Sequence, residues 1–143
     1  MLELRPLAAV HDTPGVVARI PHELMALAKR APPWTSYAVF TPEGEAVGTC
    51  AFKAPPTAGC EVEIAYFTFP EFEGCGYGTA MARRLCEIAD QSAEVDGVLA
   101  HTLREENASV RICRRLGFVL EGEVIDPDDG PVWRWRKPAG PHP

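Results

Sequence analysis

Three glycines at alternate positions separate an apolar strand from a helix near the middle of the chain. They lie in Glu73-Gly-Cys-Gly-Tyr-Gly78, after the β-branched and aromatic residues 60–69 and at the start of the amphipathic residues 77–91. Glycines permit positive φ and let a ligand approach the backbone without meeting a Cβ. Successive amides in such a turn point into one concavity, and the helix N-terminus adds unpaired N–H groups and partial positive charge. The pattern is typical of a pyrophosphate-binding turn, although tight strand-to-helix packing without a ligand would use the same glycines.

Two other phosphate-binding motifs do not fit this segment. A P-loop ends in Gly-Lys followed by Ser or Thr, whereas this turn continues Gly-Thr-Ala and contains no lysine. A dinucleotide-binding fingerprint has the spacing Gly-x-Gly-x-x-Gly near the start of a βαβ unit. Here the spacing is Gly-x-Gly-x-Gly, and the preceding sequence predicts an antiparallel hairpin.

The hydrophobic periodicity predicts one mixed α/β domain, with strands and helices interleaved along the chain. Pro21 lies inside the first helical stretch and predicts a break there. Apolar residues on both faces of residues 98–103 indicate a strand inside a covered parallel sheet. We expect residues 1–137 to form the domain and the proline-rich residues 138–143 to form a tail. The predicted strands are residues 2–7, 34–40, 46–52, 60–69, 98–103, 118–125 and 131–137, and the predicted helices are residues 13–30, 77–91 and 107–116.

The composition limits which partners the chain is expected to bind and in which compartment it is expected to lie. The 143 residues include 20 acidic and 14 basic side chains, for a formal net charge of -6. This balance argues against a general partner among nucleic acids or anionic membranes, which select an excess of Lys and Arg, and it permits a cationic substrate. Neither a membrane span nor a secretory signal is expected from the sequence. The five scattered cysteines lack a Cys-x-x-Cys pair, which favours free thiols in the cytoplasm and no metal site.

The glycine turn resembles the acyl-CoA loop of the GNAT N-acetyltransferase superfamily. That loop has the pattern Gln/Arg-x-x-Gly-x-Gly/Ala, which falls on residues 73–78. The preceding Glu63-Ile-Ala-Tyr66 is similar to the family's fourth strand. Residues 101–118, in which Asn107 and Ser109 open a helix that closes with Gly-Phe, are similar to its later motif. The order of elements matches over about residues 2–137, with the nearest likeness to the branch that includes ribosomal-protein N-terminal alanine acetyltransferases.

This resemblance implies a single-domain GNAT fold, with a mixed central sheet, splayed parallel strands and helices on both faces. It implies acetyl-CoA as acyl donor, a primary amine of a small molecule or peptide N-terminus as acceptor, and a monomer or homodimer. A module that binds acyl-CoA or a partner without turnover is the alternative. The residues that it assigns to the cofactor are Phe67, Thr68, Glu73, Gly74, Cys75, Gly76, Tyr77, Gly78, Thr79, Asn107 and Ser109. For Asn107 and Ser109, helix capping is an alternative or additional role.

Three positions depart from the family pattern. Glu73 replaces a Gln or Arg, so we expect its side chain to point to solvent while its backbone serves the ligand. Cys75 replaces a usually basic residue and removes a counter-charge. Cys113 stands four residues before Gly117, where many relatives carry a tyrosine that protonates the leaving thiolate. We expect a buried core thiol at that position.

Direct attack on a thioester requires the amine to lose a proton, so the site needs a base. Glu63, in the strand beside the splay, is the first candidate, acting directly or through water, with a structural ion pair as the alternative. His101, in the strand across the opening, is the second candidate, with a hydrogen-bonded structural role as the alternative. Tyr66 and Tyr77 are possible acids or packing residues.

Two charged groups have open roles. The turn residues Asp126, Asp128 and Asp129 would either guide an ammonium group or be solvated. Arg111, Arg114 and Arg115 would form a solvated helix face, close to the adenosine phosphate if the resemblance holds.

Overall fold

A seven-stranded mixed sheet forms the centre of the computed structural model, which describes residues 2–10, 18–56 and 59–140. The strands are β1 (Glu3–Pro6), β2 (Ser36–Phe40), β3 (Ala46–Phe52), β4 (Glu61–Thr68), β5 (Gly97–Thr102), β6 (Val119–Asp126) and β7 (Gly130–Pro138). The helices are α1 (His22–Leu27), α2 (Tyr77–Asp90) and α3 (Ala108–Arg115), with short 3-10 turns at Leu7–Ala9 and Pro70–Phe72. None of the helices in these described ranges combines the length and apolar character needed to cross a membrane.

The strands lie in the order β1-β2-β3-β4-β5-β7-β6. Neighbours pair antiparallel except for β4 and β5, which run parallel. This arrangement confirms the predicted mixed α/β class. The two 3-10 turns are elements that the sequence pattern did not predict.

The parallel pair β4 and β5 separates halfway along its length. Its ladder ends at Ile64 and Ala100. Beyond that point β4 stays paired with β3 as far as Thr68, and β5 stays paired with β7 as far as Thr102. Because each strand is held by a different neighbour, their carboxyl ends diverge and leave a gap in the sheet. The splay expected from the family resemblance is therefore present.

Helices α2 and α3 cover one face of the sheet. The α2 residues Met81, Leu85 and Ala89 recur every fourth position and are fully buried in a core that includes Val62 and Val98. Side chains alternate along a strand, so neighbouring strand residues point away from this core. The predicted amphipathic stripe is thus the side of α2 that packs on the sheet.

Helix α1 belongs to a second core on the opposite face. Leu7 and Leu24 pack with Ala38 and Phe40 of β2, whereas the intervening Val39 lies in the first core. Pro21 directly precedes α1, which agrees with the predicted break. The earlier part of that predicted helix, residues 13–17, lies outside the described residues, as do Thr57 and Ala58 in the turn before β4.

The end of the described chain is bonded further than the predicted domain boundary. Strand β7 includes Pro138. The N–H of Ala139 donates to the carbonyl oxygen of Asp96 at 2.9 Å, and the N–H of Gly140 donates to Asp90 Oδ1 at 2.6 Å. These acceptors hold residues 139–140 against the domain, so the expected tail does not begin at residue 138. Residues 141–143 lie outside the described residues.

Gly48 lets β3 pass closely beneath α2. A Cβ there would overlap the carbonyl oxygen of Phe67 and lie 2.5 Å from Met81 Cε. We expect Gly48→Ala to lower the free energy of unfolding by about 1–3 kcal/mol, since overpacking a core costs that much. Urea unfolding followed by tryptophan fluorescence measures the change. The control is Glu43→Ala in the exposed turn before β3, where we expect a change below about 0.5 kcal/mol. Equal stability of the two variants would contradict this packing.

Candidate active site

The gap between β4 and β5 opens into a cavity of about 570 Å³. Its walls are the end of β4, the glycine turn, the first turn of α2 and one side of α3 along its length. The volume lies within the range typical of small-molecule sites. The cavity is lined by nine of the predicted cofactor residues, namely Phe67, Thr68, Glu73, Gly74, Gly76, Tyr77, Gly78, Thr79 and Ser109. The structure thus brings most of the predicted set to one place.

The three glycines of the turn have different physical roles. Gly74 and Gly76 have φ of +81° and +84°, in the left-handed region that favours glycine. No neighbouring atom lies within 4 Å of a Cβ built on either residue, so both face open space. A Cβ on Gly78 would lie 3.0 Å from Ile112 Cδ1. The first two glycines therefore shape the turn, and the third lets α3 approach α2.

Helix α2 presents free backbone donors at its N-terminus. Its first i to i−4 hydrogen bond runs from the N–H of Ala80 to the carbonyl oxygen of Gly76, at 3.1 Å. The amides of Tyr77, Gly78 and Thr79 precede this bond and have no helical acceptor. Gly76 occupies the N-cap position without a side-chain cap. These donors and the helix dipole favour an anion at this end of the cavity.

Three of the predicted cofactor residues depart from expectation: Glu73, which is one of the nine lining residues, and Cys75 and Asn107, which lie outside the lining. The Glu73 side chain is exposed as expected, but its N–H already donates to the carbonyl oxygen of Pro70 at 3.3 Å. Its backbone donor is therefore engaged. Cys75 is exposed and lies outside the lining. Asn107 also lies outside it and caps α3, because its Oδ1 accepts from the N–H of Val110 at 3.0 Å. The capping alternative describes its observed contact.

Tyr66 reaches from β4 to α3 at the inner wall of the cavity. Its hydroxyl interacts with the side chains of Ser109 and Cys113, and burial raises the pKa of Tyr66 well above its ordinary value. The phenol therefore stays protonated at neutral pH and is a hydrogen-bond donor. Burial also raises the pKa of the Cys113 thiol to about 11. Cys113 is a neutral, buried thiol, in line with the expected core role.

The arginines of α3 divide between the cavity and the surface. Arg111 and Arg115 line the cavity. Arg114 instead pairs with Glu106 at 2.7 and 2.8 Å and lies 5.7 Å from the ring of Trp135. Positive charge that is missing at position 75 is therefore present across the cavity. The charge spacing on α3 was the signal for these residues. All three arginines are exposed, as predicted for a solvated helix face, and two of them also line the cavity.

A cluster of titratable groups lies on the sheet face opposite α2 and α3. His101 Nδ1 lies 3.3 Å from Glu63 Oε2 and 3.5 Å from Asp126 Oδ2. Lys53 Nζ lies 3.2 Å from the same Glu63 oxygen. The two predicted base candidates are thus neighbours. One donor atom from each of Glu63, His101 and Asp126 lies within 4.8 Å of the other two, which is a spacing that a metal ion could bridge. The Lys53 ammonium already neutralises Glu63, and this argues against a metal ion at these three residues.

Asp126 is the member of this cluster whose role the sequence left open. Its side chain is only 7% exposed. Its Oδ1 accepts from the N–H groups of Asp128 at 2.8 Å and Asp129 at 3.1 Å. These backbone bonds hold the pKa of Asp126 below its usual value, so the carboxylate stays ionised. The solvated-turn reading was wrong for Asp126; the spacing Asp-x-Asp-Asp-Gly signals this self-bonded turn but not the contact with His101.

Comparisons with known proteins identify the family to which this geometry belongs. A family model described as an acetyltransferase (GNAT) domain matches residues 2–119. The fold is similar to RimL, a ribosomal L7/L12 alpha-N-protein acetyltransferase, in its apo form, with 20% identity, a TM-score of 0.75, and coverage of 98% of this chain and 94% of RimL. It is similar to a chimera of spermidine N-acetyltransferase SpeG from Vibrio cholerae and hSSAT, with 16% identity, a TM-score of 0.72, and coverage of 96% and 95%.

A third similar structure is aminoglycoside acetyltransferase AAC(6')-Ib in complex with coenzyme A. The identity is 22%, the TM-score 0.64, and the coverage 73% of this chain and 65% of that one. In the match to RimL bound to coenzyme A, this chain spans 60% of the other chain's length. No curated protein matches the sequence. The predicted family and fold are confirmed.

Gly76→Val tests whether the cavity binds its ligand along the turn. A valine there would project into open space where the ligand is expected. We expect its affinity for coenzyme A, measured by calorimetric titration, to fall at least about 30-fold, equivalent to about 2 kcal/mol. Gly44→Val is the matched control, because Gly44 has φ +88° and equally open surroundings in the turn between β2 and β3. Both variants carry similar backbone strain. Equal affinities would place the ligand elsewhere.

Proposed function

The chain belongs to the GNAT acetyltransferase family, and we propose that it transfers the acetyl group of acetyl-CoA to a primary amine. The observation that carries the proposal is the cavity in the splay, where free amides of α2 meet the unpaired end of β4. An anion binds at the amides, and an extended chain fits along the strand. Acetyl-CoA has both parts, a pyrophosphate and a pantetheine arm.

The proposed cofactor site divides into two halves. The amides of Tyr77, Gly78 and Thr79 receive the pyrophosphate, with counter-charge from the two cavity-lining arginines of α3. The pantetheine arm pairs with the backbone at Phe67 and Thr68, as an added strand would. β4 offers this edge because β5 has already diverged from it. Ser109 closes the cavity from α3. This division explains how a chain with net charge -6 holds an anionic ligand.

The acceptor in this proposal enters from the opposite face of the sheet. That face carries the carboxylates of Glu63 and Asp126 beside the gap, and negative charge favours an ammonium group. The acceptor class comprises small-molecule amines and peptide N-termini. Similar structures are named as an alpha-N-protein, a spermidine and an aminoglycoside acetyltransferase. The five cysteines are free thiols, which supports a place in the cytoplasm.

The proposed reaction is direct attack of the amine on the thioester. The amine nitrogen bonds to the carbonyl carbon, the carbon–sulfur bond breaks, and the electron pair leaves on sulfur. The amine loses its proton to a base, and the leaving thiolate takes a proton from the Tyr66 hydroxyl. The proton released by the amine then returns the phenolate to its neutral form through solvent. The Tyr66 donor is supported by its contact with Cys113, the position at which many relatives carry a tyrosine. A donor from β4 would thus replace a missing donor on α3.

The activity is tested by thiol release from acetyl-CoA with a panel of amines. The panel contains short peptides with free N-termini, spermidine and kanamycin. We expect turnover with at least one amine and a higher melting temperature with acetyl-CoA. A shift in melting temperature without turnover on any amine would make the chain a binding module. No shift at millimolar acetyl-CoA would remove the proposed cofactor.

Tyr66→Phe tests the proton donor. We expect kcat to fall by about 10²-fold, since general acid catalysis contributes 10² to 10⁴, while KM for acetyl-CoA changes little. Tyr37→Phe is the control, because it also removes a tyrosine hydroxyl, one that donates to the carbonyl oxygen of Pro33 at 2.6 Å away from the cavity lining. Its kcat should match that of the wild type. Unchanged turnover in Tyr66→Phe would exclude this hydroxyl as the donor.

A further inference from the structure

We propose that His101 is the general base of this reaction, acting through Nε2, and that Asp126 is the residue that orients it. The inference rests on the proposed acetyl transfer and deepens it. It assigns the base role to one of the two neighbouring candidates. It also gives Asp126 a positioning role that neither the sequence pattern nor the family match supplies.

The carboxylates around Nδ1 determine the tautomer of the His101 imidazole. Nδ1 is buried and forms no hydrogen bond within the described residues, although it lies 3.3 Å from Glu63 Oε2 and 3.5 Å from Asp126 Oδ2. Ionised carboxylates only accept hydrogen bonds. A bare nitrogen lone pair between two carboxylate oxygens would be repelled by both, so the proton of the neutral ring belongs on Nδ1. Nε2 then carries the free lone pair that a base requires.

The His101 ring lies at the edge of the gap. His101 directly follows Ala100, the last β5 residue paired with β4. The ring therefore lies where the gap in the sheet begins. The His101 side chain is 19% exposed although its Nδ1 is buried. The accessible part of the ring is consequently the part away from the carboxylates, as a base that meets an incoming amine requires.

The two carboxylates beside His101 have different roles. Glu63 Oε2 already forms an ion pair with Lys53, so proton uptake there would give up that interaction. Asp126 is fixed by two backbone N–H groups on Oδ1, which leaves Oδ2 toward His101. Asp126 is thus a rigid anion that can hold the ring and stabilise an imidazolium. In other enzymes a buried carboxylate likewise holds a histidine base in the correct tautomer and stabilises the imidazolium that forms.

The charged side chains around His101 come from β4, β7, the end of β6 and the residue that follows β3. Glu63 of β4, Asp126 of β6 and Lys53, which follows β3, form the cluster. Arg134 of β7 lies opposite His101 in the strand register, and its charge is engaged by Glu121 at 3.0 Å and Glu61 at 3.5 Å. When the amine nitrogen bonds to the acyl carbon, its proton passes to Nε2. The two facing carboxylates then offset the new positive charge.

The test begins with a readout that needs no turnover. Two-bond ¹H–¹⁵N correlation spectra distinguish the two neutral histidine tautomers. The chain has 4 histidines, and the His101 signal is identified by its loss in His101→Gln. We expect the Nδ1–H tautomer in the wild type near neutral pH, and a shift toward the Nε2–H tautomer in Asp126→Asn. An Nε2–H tautomer in the wild type would overturn the proposal.

Kinetics with the best amine then test the base. We expect His101→Gln to lower kcat by about 10²- to 10⁴-fold with little change in KM for acetyl-CoA. Asp126→Asn should lower kcat at least tenfold, because an amide in place of the orienting carboxylate permits the wrong tautomer. The matched control is Asp128→Asn, which removes a charge from an exposed side chain of the same turn. Its kcat should stay within twofold of the wild type.

The remaining outcomes separate the two proposals. A larger loss of kcat in Glu63→Gln than in His101→Gln would transfer the base role to Glu63 and overturn this inference while acetyl transfer stands. Equal losses of kcat in Asp126→Asn and Asp128→Asn would show that Asp126 acts only through its charge. That result would also contradict the positioning role of Asp126. Absence of turnover in the wild type would contradict acetyl transfer itself. The tautomer in the wild type would still decide whether Asp126 orients His101.

Discussion

The separation of β4 from β5 is the constraint on which the site depends. At the gap, β4 stays paired with β3 from Ile64 to Thr68 and β5 stays paired with β7 as far as Thr102, so the sheet can open between them without unfolding at either side. The backbone edge of β4 that faces the gap has no strand partner beyond Ile64, and this part of β4 lines the cavity. Its amides and carbonyls are therefore available to a ligand that offers amide groups of its own. The splay thus creates both a space and a hydrogen-bonding edge for a particular kind of occupant.

Local and global electrostatics act differently in this molecule. The chain is acidic overall, yet the end of the cavity at α2 is suited to an anion through fixed dipoles and two arginines from α3. On the opposite face, carboxylates gather around His101. One sheet thus separates a surface for an anion from a surface for a cation, and the gap connects them. Net charge alone could not have revealed this division.

The sequence was informative where the determinants are close together in the chain. The order of strands and helices followed from periodicity, and the residues from Phe67 to Thr79 form one contiguous segment whose local geometry the glycines dictate. It was uninformative where the contacts depend on register across the sheet. Asp126 reaches His101 only because β6 pairs with β7 and β7 pairs with β5. The 3-10 turn that occupies the Glu73 amide, and the reach of Tyr66 to Cys113, likewise depend on packing that no short motif encodes.

The cluster around His101 is built from four segments of the chain that the ribosome makes at different times. Ribosomes deliver β3, β4, the glycine turn and β5 first, and the hairpin of β6 and β7 last. A nascent chain that has emerged only as far as α3 already contains the residues that line the cavity. It does not yet contain the aspartate that faces the histidine. It also lacks β7, which holds β5 away from β4 at the gap. The opening of the gap and the contact between the aspartate and the histidine would therefore both await the final hairpin, which sets the moment at which the molecule becomes chemically competent.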